Sequence, residues 1–367
     1  MLKGQPLDED HGIQGLAIDG RGLIYVLDLS ADPRVVVLDP ATGAQRRYAS
    51  FRDVPSCADA GRTTDCSATN GDNASGPDYE TFAPDGSLYV TDIDQALIWR
   101  VPKGGGRAEV WFTDPRLESP YGPNGIQFMA DGRTLLFVDS AINGKYGDPT
   151  TGALFKLPVG AGGRPGKLSL FWQSRPLDGP DGFALARSGN VYLALATADQ
   201  VVLISPAGDE VARVPATPAQ NAQQEVPFDG PASAAFLGES VLVTNQSFPV
   251  GNPRSWAVLD VFAGEPGLPL FRPLAAKPPK PARIRLFVAP RRVRAGRRVR
   301  FRFHAVAAGH GVPRARLGFA GRRARADRHG RVAISVRLRR PGRYLARVKK
   351  GGLLRDTAAV RALGSRG

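Results

Sequence analysis

At 367 residues and 42% hydrophobic content, the chain is long enough for two domains and can build packed cores, which excludes disorder throughout. Its net charge of +15 is uneven, because residues 273–367 hold 28 Lys and Arg against two Asp, whereas residues 1–272 hold 21 against 32 acidic residues. No run approaches the ~20 apolar residues that span a bilayer, and the start "MLKGQPLDED" lacks a signal-peptide core. The 43 Gly and 31 Pro among short β-branched and aromatic runs predict an all-β protein.

Five repeated units follow one another along the first part of the chain, each with a turn, a strand, a tight Gly turn and a second strand. The units begin "GIQGLAIDG", "GPDYETFAPDG", "GPNGIQFMADG", "GPDGFALARSG" and "GPASAAFLGES", and they close at Asp28, Asp92, Asp139, Leu195 and Asn245. Further strand-like runs make four strands per unit, which predicts β-propeller blades. We therefore expect a propeller of the six-bladed type with five visible blade motifs and some N-terminal sequence, a signal peptide included, missing before them.

Cys57 and Cys66 are the only cysteines, and they flank the polar loop "CADAGRTTDC". Their spacing predicts a local disulfide if the compartment is oxidising, and two unpaired cytosolic thiols are the alternative. We expect a secreted, periplasmic or cell-surface protein and keep a cytoplasmic location as the alternative.

The composition changes after Phe271, where "RPLAAKPPKPAR" is typical of a stiff, solvated spacer. We expect a propeller over residues 1–272, a Pro/Lys-rich linker over 273–282 and a small, basic immunoglobulin-like β-sandwich over 283–363. Arginines alternate with apolar residues in the tail, which is typical of a solvated outer face. An anionic cell-surface polymer is the other partner we consider, and nucleic acid is disfavoured because no aromatic platform is evident.

The residue just before the first strand of each unit holds the candidate site. Innermost propeller strands line the central channel, so we expect these positions to gather at its mouth. They are occupied by Gln14, Asp78, Asn124, Asp181 and Ala232. Carboxylate and amide oxygens suit hard divalent cations, although Pro-Asn-Gly and Pro-Asp-Gly are also ordinary turn sequences. No Ser/His/Asp nucleophile elbow and no histidine metal spacing is present in the sequence.

Through "GPNGIQFMADGRTLLFVDS" and "GPDGFALARSGNVYLA" the chain resembles the senescence marker protein, gluconolactonase and luciferin-regenerating enzyme family over about residues 11–272. The family's fold is a six-bladed propeller with a divalent metal in its channel. The resemblance implies that Asn124 and Asp181 bind the metal, that Asp181 is the general base, and that Asp78 lies near the substrate. The family's glutamate ligand is matched most nearly by Gln14. A glutamate upstream of Met1 and a carboxylate supplied by Asp78 are the alternatives.

The function expected from this pattern is metal-dependent hydrolysis of a lactone or similar ester. Asp181 acts as the base, Asp78, Asn124 and Asp181 hold the metal, and Asp78 and Gln14 contact a neutral, sugar-like substrate. Ca²⁺ is the favoured ion, and Zn²⁺, Mg²⁺ and Mn²⁺ stay open. The alternative is a non-catalytic secreted propeller that binds a ligand and is held at an anionic surface by the basic tail.

Overall fold

The computed structural model describes residues 12–55, 74–119, 121–141, 151–247, 251–279, 283–307 and 309–364. Cys57 and Cys66 lie outside these ranges, so their pairing stays a prediction. The chain divides into two compact units, Met1–Val37 with Arg47–Lys277 and Leu38–Arg46 with Pro278–Gly367. No described helix is long and apolar enough to cross a membrane.

The first unit is built from five antiparallel sheets, which correspond to the five repeated units of the sequence and are called blades 1 to 5. Their strands are β1 (Ile13–Ile18), β2 (Ile24–Asp28), β3 (Arg34–Asp39), β4 (Ala44–Ser50), β5 (Pro77–Phe82), β6 (Leu88–Asp92), β7 (Leu97–Val101), β8 (Gly106–Arg107), β9 (Glu109–Thr113), β10 (Pro123–Phe128), β11 (Thr134–Asp139), β12 (Ala153–Pro158), β13 (Ser169–Gln173), β14 (Pro180–Leu185), β15 (Val191–Leu195), β16 (Gln200–Ile204), β17 (Glu210–Val214), β18 (Pro231–Leu237), β19 (Ser240–Asn245) and β20 (Ala257–Phe262). The only helical turns described are Pro115–Leu117, Ala161–Gly163 and Pro218–Ala222.

Strand order within each blade follows the chain. Blade 1 is β1-β2-β3-β4 with β8 added in parallel to β4, blade 2 is β5-β6-β7-β9, and blade 3 is β10-β11-β12-β13. Blade 4 is β14-β15-β16-β17, and blade 5 has three described strands, β18-β19-β20. The first strands of successive blades pack on one another in the order β1, β5, β10, β14, β18. This is the propeller arrangement that the repeats predict, with five blades described.

Apolar side chains are buried between neighbouring blades rather than in one central core. Tyr25, Phe82 and Trp99 belong to a cluster shared by blades 1 and 2, and Trp172 packs in a cluster shared by blades 3 and 4. Trp99 also donates a hydrogen bond from Nε1 to Asp92 Oδ2 at 2.8 Å. Asp92, which closes the second sequence repeat, also accepts from the Gly76 amide through Oδ1 at 2.9 Å. Its two carboxylate oxygens therefore link separate parts of blade 2.

Blades 1 and 5, the first and last described blades, leave large apolar side chains exposed. Leu16 of β1 is 63% exposed, as are Val258 at 63% and Phe262 at 76% in β20. The sequence pattern predicts that Trp256 packs between blades, and this is wrong, because Trp256 is 60% exposed beside β20, the outermost described strand of blade 5.

Residues 273–277, the start of the predicted linker, run against blade 1. Gly20 donates its amide to the Pro273 carbonyl at 3.2 Å, and Arg21 Nη1 donates to the Ala276 carbonyl at 2.6 Å. Ala275 and Ala276 are buried in the cluster shared by blades 1 and 2, because their short side chains fit against it. This part of the Pro/Lys-rich segment is packed rather than solvated.

The second unit is formed by nine strands in two sheets around one apolar cluster. The strands are β21 (Arg285–Ala289), β22 (Arg292–Arg294), β23 (Arg298–Ala307), β24 (His310–Gly311), β25 (Arg316–Phe319), β26 (Arg322–Arg325), β27 (Arg331–Arg337), β28 (Gly342–Lys349) and β29 (Asp356–Leu363). Strands β21, β23, β24 and β27 form the sheet called sheet 6, and β22-β29-β28-β25-β26 form sheet 7. Phe301 and Phe303 both face the cluster, as the alternation of arginine with apolar residues predicts, and each meets Phe319 edge to face. Assignment to the immunoglobulin-like class stays a prediction.

Glu80 of β5 is a buried carboxyl, 7% exposed, in the propeller unit. Among the described residues it forms no hydrogen bond of good geometry, although the Ala17 backbone lies near enough to interact with it. Burial raises the pKa of Glu80 to about 8, and the Ala17 backbone opposes this shift only in part. The side chain is therefore protonated at neutral pH in the folded protein.

Replacing Glu80 with Gln is expected to flatten the dependence of stability on pH. Between the ordinary pKa of Glu and about 8, the unfolded chain loses this proton while the folded protein keeps it, so wild-type stability falls as pH rises. Glu80→Gln is expected to match wild type near pH 4.5 and to be more stable at pH 8, by up to about 1.4 kcal/mol per pH unit crossed.

Urea unfolding followed by Trp fluorescence measures this difference, because all four tryptophans lie in the propeller unit. Glu239→Gln, at an exposed residue in the β18–β19 turn, is the matched control and is expected to leave the pH profile unchanged. An unchanged profile for Glu80→Gln would contradict the assignment of a buried, neutral carboxyl.

Candidate functional site

The five candidate positions occupy the same structural place in the five blades. In each blade, the pairing between the first and second strands shifts register at the candidate residue and the residue after it. These shifts lie between Ile13 and Leu16, Pro77 and Glu80, Pro123 and Ile126, Pro180 and Phe183, and Pro231 and Ala234. Such β-bulges re-aim side chains and often lie beside active sites. The residues that the sequence repeat aligns therefore lie at equivalent positions in the folded blades. They are Gln14, Asp78, Asn124, Asp181 and Ala232.

Glycines after the candidate residues let neighbouring blades approach closely at these bulges. A Cβ atom at Gly125 would lie 2.7 Å from the Asp181 carbonyl oxygen, and one at Gly182 would lie 2.8 Å from the Ala232 carbonyl oxygen. Gly15 meets the Asp78 carbonyl in the same way, at 2.9 Å. Three of the four crossings between successive blades therefore use a glycine at the same position.

In blade 2, Tyr79 occupies the position that glycine takes at the other three crossings. Its side chain extends to blades 4 and 5, where the hydroxyl lies 3.1 Å from Asp181 Oδ1, 3.2 Å from the Ala232 carbonyl and 2.5 Å from Ser233 Oγ. A phenol donates one hydrogen, so Ser233 can donate to Tyr79 while Tyr79 donates to Asp181 or to the Ala232 carbonyl. This one side chain joins blades 2, 4 and 5 around the Asp181 carboxylate.

The two carboxyls at the bulges, Asp78 and Asp181, both have raised pKa values. Burial raises the pKa of Asp181 to about 7, and the hydrogen bond from Tyr79 lowers it in part. The pKa of Asp78 is raised well above its usual range by burial first and by the charge of Asp181 second. Burial and the charges of Asp181 and Asp78 also hold the pKa of the Tyr79 phenol well above its usual value. Negative charge at this place is costly unless a cation accompanies it.

Asn124 supplies a neutral oxygen at the equivalent bulge of blade 3. The residue is 6% exposed, and its Nδ2 donates to Ser140 Oγ at 3.1 Å. Its Oδ1 is buried and has no hydrogen-bond partner among the described residues. A buried amide oxygen without a donor is unusual in a folded protein and requires an explanation.

The donor set fits a hard divalent cation. Two carboxylates with raised pKa values and one unpartnered amide oxygen are the ligand types that Ca²⁺ and Mg²⁺ prefer. A cation would satisfy Asn124 Oδ1 and offset the repulsion between Asp78 and Asp181. Within the described ranges, no cluster of three or more His, Cys, Asp or Glu side chains forms a metal site, so an amide ligand is essential to this fit.

Gln14 and Ala232 lie at equivalent bulges but contribute less. The Gln14 side chain is exposed, and the described part of the chain shows no hydrogen bond between it and Asp78, Asn124 or Asp181. Ala232 contributes only its backbone carbonyl, to Tyr79. The roles predicted for Gln14, Asp78, Asn124 and Asp181 stay predictions.

Sequence reasoning missed Tyr79 and Ser233, which contact Asp181 and each other. The available signal was their position, directly after the candidate residue, where "QG", "NG" and "DG" occur in units 1, 3 and 4 but "DY" and "AS" occur in units 2 and 5. The sequence does not show which way a side chain placed there points.

Gly125→Ala is expected to destabilise the propeller by about 1–3 kcal/mol, because the added methyl group meets the Asp181 backbone carbonyl, which cannot move away cheaply. Urea unfolding of the two proteins measures the change. Gly12→Ala is the matched control, since nothing lies within 4 Å of a Cβ atom there. Equal stability of the two variants would contradict the close crossing of blades 3 and 4.

Tyr79→Phe is expected to raise the pKa of Asp181 above about 7, because the phenol hydrogen bond stabilises the ionised carboxylate. A ¹³C-carboxyl NMR titration of metal-free protein labelled at Asp measures the shift. Tyr121→Phe, at a 57% exposed tyrosine, controls for the substitution itself. A downward shift or none would show that Tyr79 does not bind Asp181.

Comparisons with solved structures find distant similarities. The structure is similar to a calcium-binding protein, regucalcin, from Agrobacterium tumefaciens, at 20% identity and a TM-score of 0.48, covering 72% of this chain and 94% of that one. It is also similar to a gluconolactonase from Xanthomonas campestris, at 16% identity and a TM-score of 0.43, covering 64% and 69%. A virginiamycin B lyase from Staphylococcus aureus has 16% identity and a TM-score of 0.43, covering 67% and 69%. These similarities are too distant to assign an activity.

No curated protein matches the chain. A model of the SMP-30/gluconolactonase/LRE-like region matches residues 115–239, a range that contains Asn124 and Asp181. Residues 115–239 are therefore identified as an SMP-30/gluconolactonase/LRE-like region, which confirms the family resemblance in this part of the chain.

Proposed function

We propose that the propeller unit is a divalent-metal-dependent hydrolase of a lactone or similar ester, with its site at the bulges of blades 2, 3 and 4. The observation that carries the proposal is the buried, unpartnered Oδ1 of Asn124, at a bulge equivalent to those of two carboxyls whose pKa values are raised. The family match over residues 115–239 supports it, because the matched range contains both Asn124 and Asp181 and the family name includes gluconolactonase.

Asp78, Asn124 and Asp181 would hold the cation, with Ca²⁺ favoured by the all-oxygen donor set. When bound, such an ion polarises an ester carbonyl and stabilises the negative charge that develops on its oxygen. Asn124 is held in place for this role by its hydrogen bond to Ser140.

Asp181 is suited to remove a proton from the attacking water. A pKa of about 7 leaves a substantial fraction ionised at neutral pH while keeping the carboxylate basic enough to accept a proton. Tyr79 binds Oδ1, so the second carboxylate oxygen is left to face a ligand. Asp181 is also partly exposed, unlike Asp78 and Asn124, so a substrate can reach it.

A neutral substrate fits the charge of this unit better than a polyanion, because residues 1–272 carry more acidic than basic side chains. We therefore propose a neutral sugar lactone as the substrate class.

Ca²⁺ binding tests the ion site directly by calorimetric titration of metal-stripped, full-length protein. Wild type is expected to bind one Ca²⁺ in the channel. Asp181→Asn and Asn124→Leu are expected to weaken binding by about 10–100-fold or more, because each removes a ligand. Asp209→Asn, which changes an exposed carboxylate in blade 4, is the matched control and is expected to bind normally.

Hydrolysis is tested with glucono-1,5-lactone and simple aryl esters in a pH-stat, with Ca²⁺, Mg²⁺, Mn²⁺ or Zn²⁺ added. The proposal requires turnover that depends on the ion and is lost in Asp181→Asn but kept in Asp209→Asn. Ion binding without turnover of any lactone or ester would instead favour a non-catalytic binding propeller.

A further inference from the structure

The outer face of sheet 7 places cations directly opposite one another on neighbouring strands. Arg316 of β25 is paired in register with Arg325 of β26 on one side and with Lys349 of β28 on the other. All three side chains are exposed, so they stand side by side on the outward face of the sheet. Because strands are about 4.8 Å apart, this row puts three positive charges within about 10 Å.

A second row repeats the arrangement near the other end of β28, where β29 and β22 supply the remaining cations. Arg361 of β29 is paired with Arg292 of β22 and with Arg343 of β28. These three side chains are also exposed. Arg347 lies between the rows on β28, opposite Gly318, which has no side chain to fill the space. Arg343, Arg347 and Lys349 therefore lie along the exposed side of β28, and this series is called the cationic track. A shallow space at Gly318 lies beside it.

Like charges directly opposite each other destabilise a sheet. The acidic residues of this part of the chain do not relieve the repulsion, because residues 283–364 contain only Asp327 and Asp356. Asp327 Oδ1 accepts from the amides of His329 and Arg331, and Asp356 Oδ2 accepts from the amide of Leu286. Both carboxylates accept hydrogen bonds from backbone amides. Among the described residues, no acidic side chain forms a salt bridge with either row of cations.

A cleft of about 820 Å³ adjoins the first row and is large enough for several anionic groups. Its basic lining residues are Arg314, Arg316, Arg325, Lys349, Lys350 and Arg355. No acidic side chain is among the lining residues described. Positive charge is therefore concentrated in this cleft as well as along the cationic track.

Sheet 6 of the same unit does not share this arrangement. Arg300 lies opposite Ser335, Arg302 lies opposite Ala289 and Ala333, and Arg285 lies opposite Val306. One pair of exposed cations, Arg298 and Arg337, does lie directly opposite on that sheet, but the described register places no third cation beside it. Rows of three cations therefore distinguish sheet 7 from sheet 6.

We propose that the outer face of sheet 7 is a binding site for a flexible, linear polyanion whose charges are phosphate groups. Arginine forks bind phosphate oxygens in pairs, and the two rows with the track between them provide successive contacts along a chain. Outward positions of β25, β26, β28 and β29 hold no aromatic side chain on which bases could stack, so a phosphate polymer without bases fits better than single-stranded nucleic acid.

Binding of linear inorganic polyphosphate to the full-length protein, measured by fluorescence anisotropy at physiological salt, tests this site. The triple variant Arg316→Gln, Arg325→Gln, Lys349→Gln is expected to lose at least about tenfold in affinity. The matched control Arg285→Gln, Arg300→Gln, Arg302→Gln removes the same charge from sheet 6 and is expected to lose much less. Without polymer, the sheet 7 triple is expected to melt at a higher temperature than wild type, because repulsion in the row is relieved.

Equal losses in the two triple variants would overturn the site and reduce the effect to net charge. Failure of wild type to bind polyphosphate would overturn it as well. Single-stranded DNA or poly-glutamate bound as tightly as polyphosphate would overturn the assignment to a base-free phosphate polymer. None of these outcomes depends on the channel residues, so the hydrolase proposal is tested separately.

Discussion

The candidate site depends on how closely the first strands of neighbouring blades cross at their bulges. Gly125 approaches the Asp181 carbonyl and Gly182 approaches the Ala232 carbonyl so closely that a methyl group at either place would collide with backbone. Bulges at equivalent positions in the five described blades set where the candidate residues lie. The polar side chains at these positions are therefore set by the backbone of the propeller before any ligand is considered.

Tyr79 departs from this pattern, and the polar chemistry of the site follows from that departure. A side chain in place of glycine at the second crossing reaches Asp181 and Ser233, so blades 2, 4 and 5 share one hydrogen-bond network. The same burial that permits this network raises the pKa values of Asp78 and Asp181. Ionising both carboxylates together is unfavourable, and a divalent cation that also satisfies Asn124 Oδ1 is the simplest way to offset that cost.

Much of the propeller could be predicted, because each blade is a local unit whose turn and strand pattern repeats in the sequence. The equivalence of Asp78, Asn124 and Asp181 followed from that repeat. The contact between Tyr79 and Asp181 could not, since the two residues are 102 positions apart and meet only across the blades. The exposure of Trp256 was also missed, because an apolar run does not reveal whether a further strand covers it. The cation rows of sheet 7 likewise depend on strand register, which the alternation of Arg with apolar residues leaves open.

The central claim is that Asp78, Asn124 and Asp181 together hold a divalent cation at the bulges of blades 2, 3 and 4. The most direct test is the crystal structure of the full-length protein with Mn²⁺, a Ca²⁺ substitute that scatters X-rays anomalously. We predict an anomalous peak within bonding distance of Asn124 Oδ1 and of carboxylate oxygens of Asp181 and Asp78. An Mn²⁺ peak elsewhere with none at these oxygens, or Asn124 Oδ1 hydrogen-bonded only to water, would contradict the account.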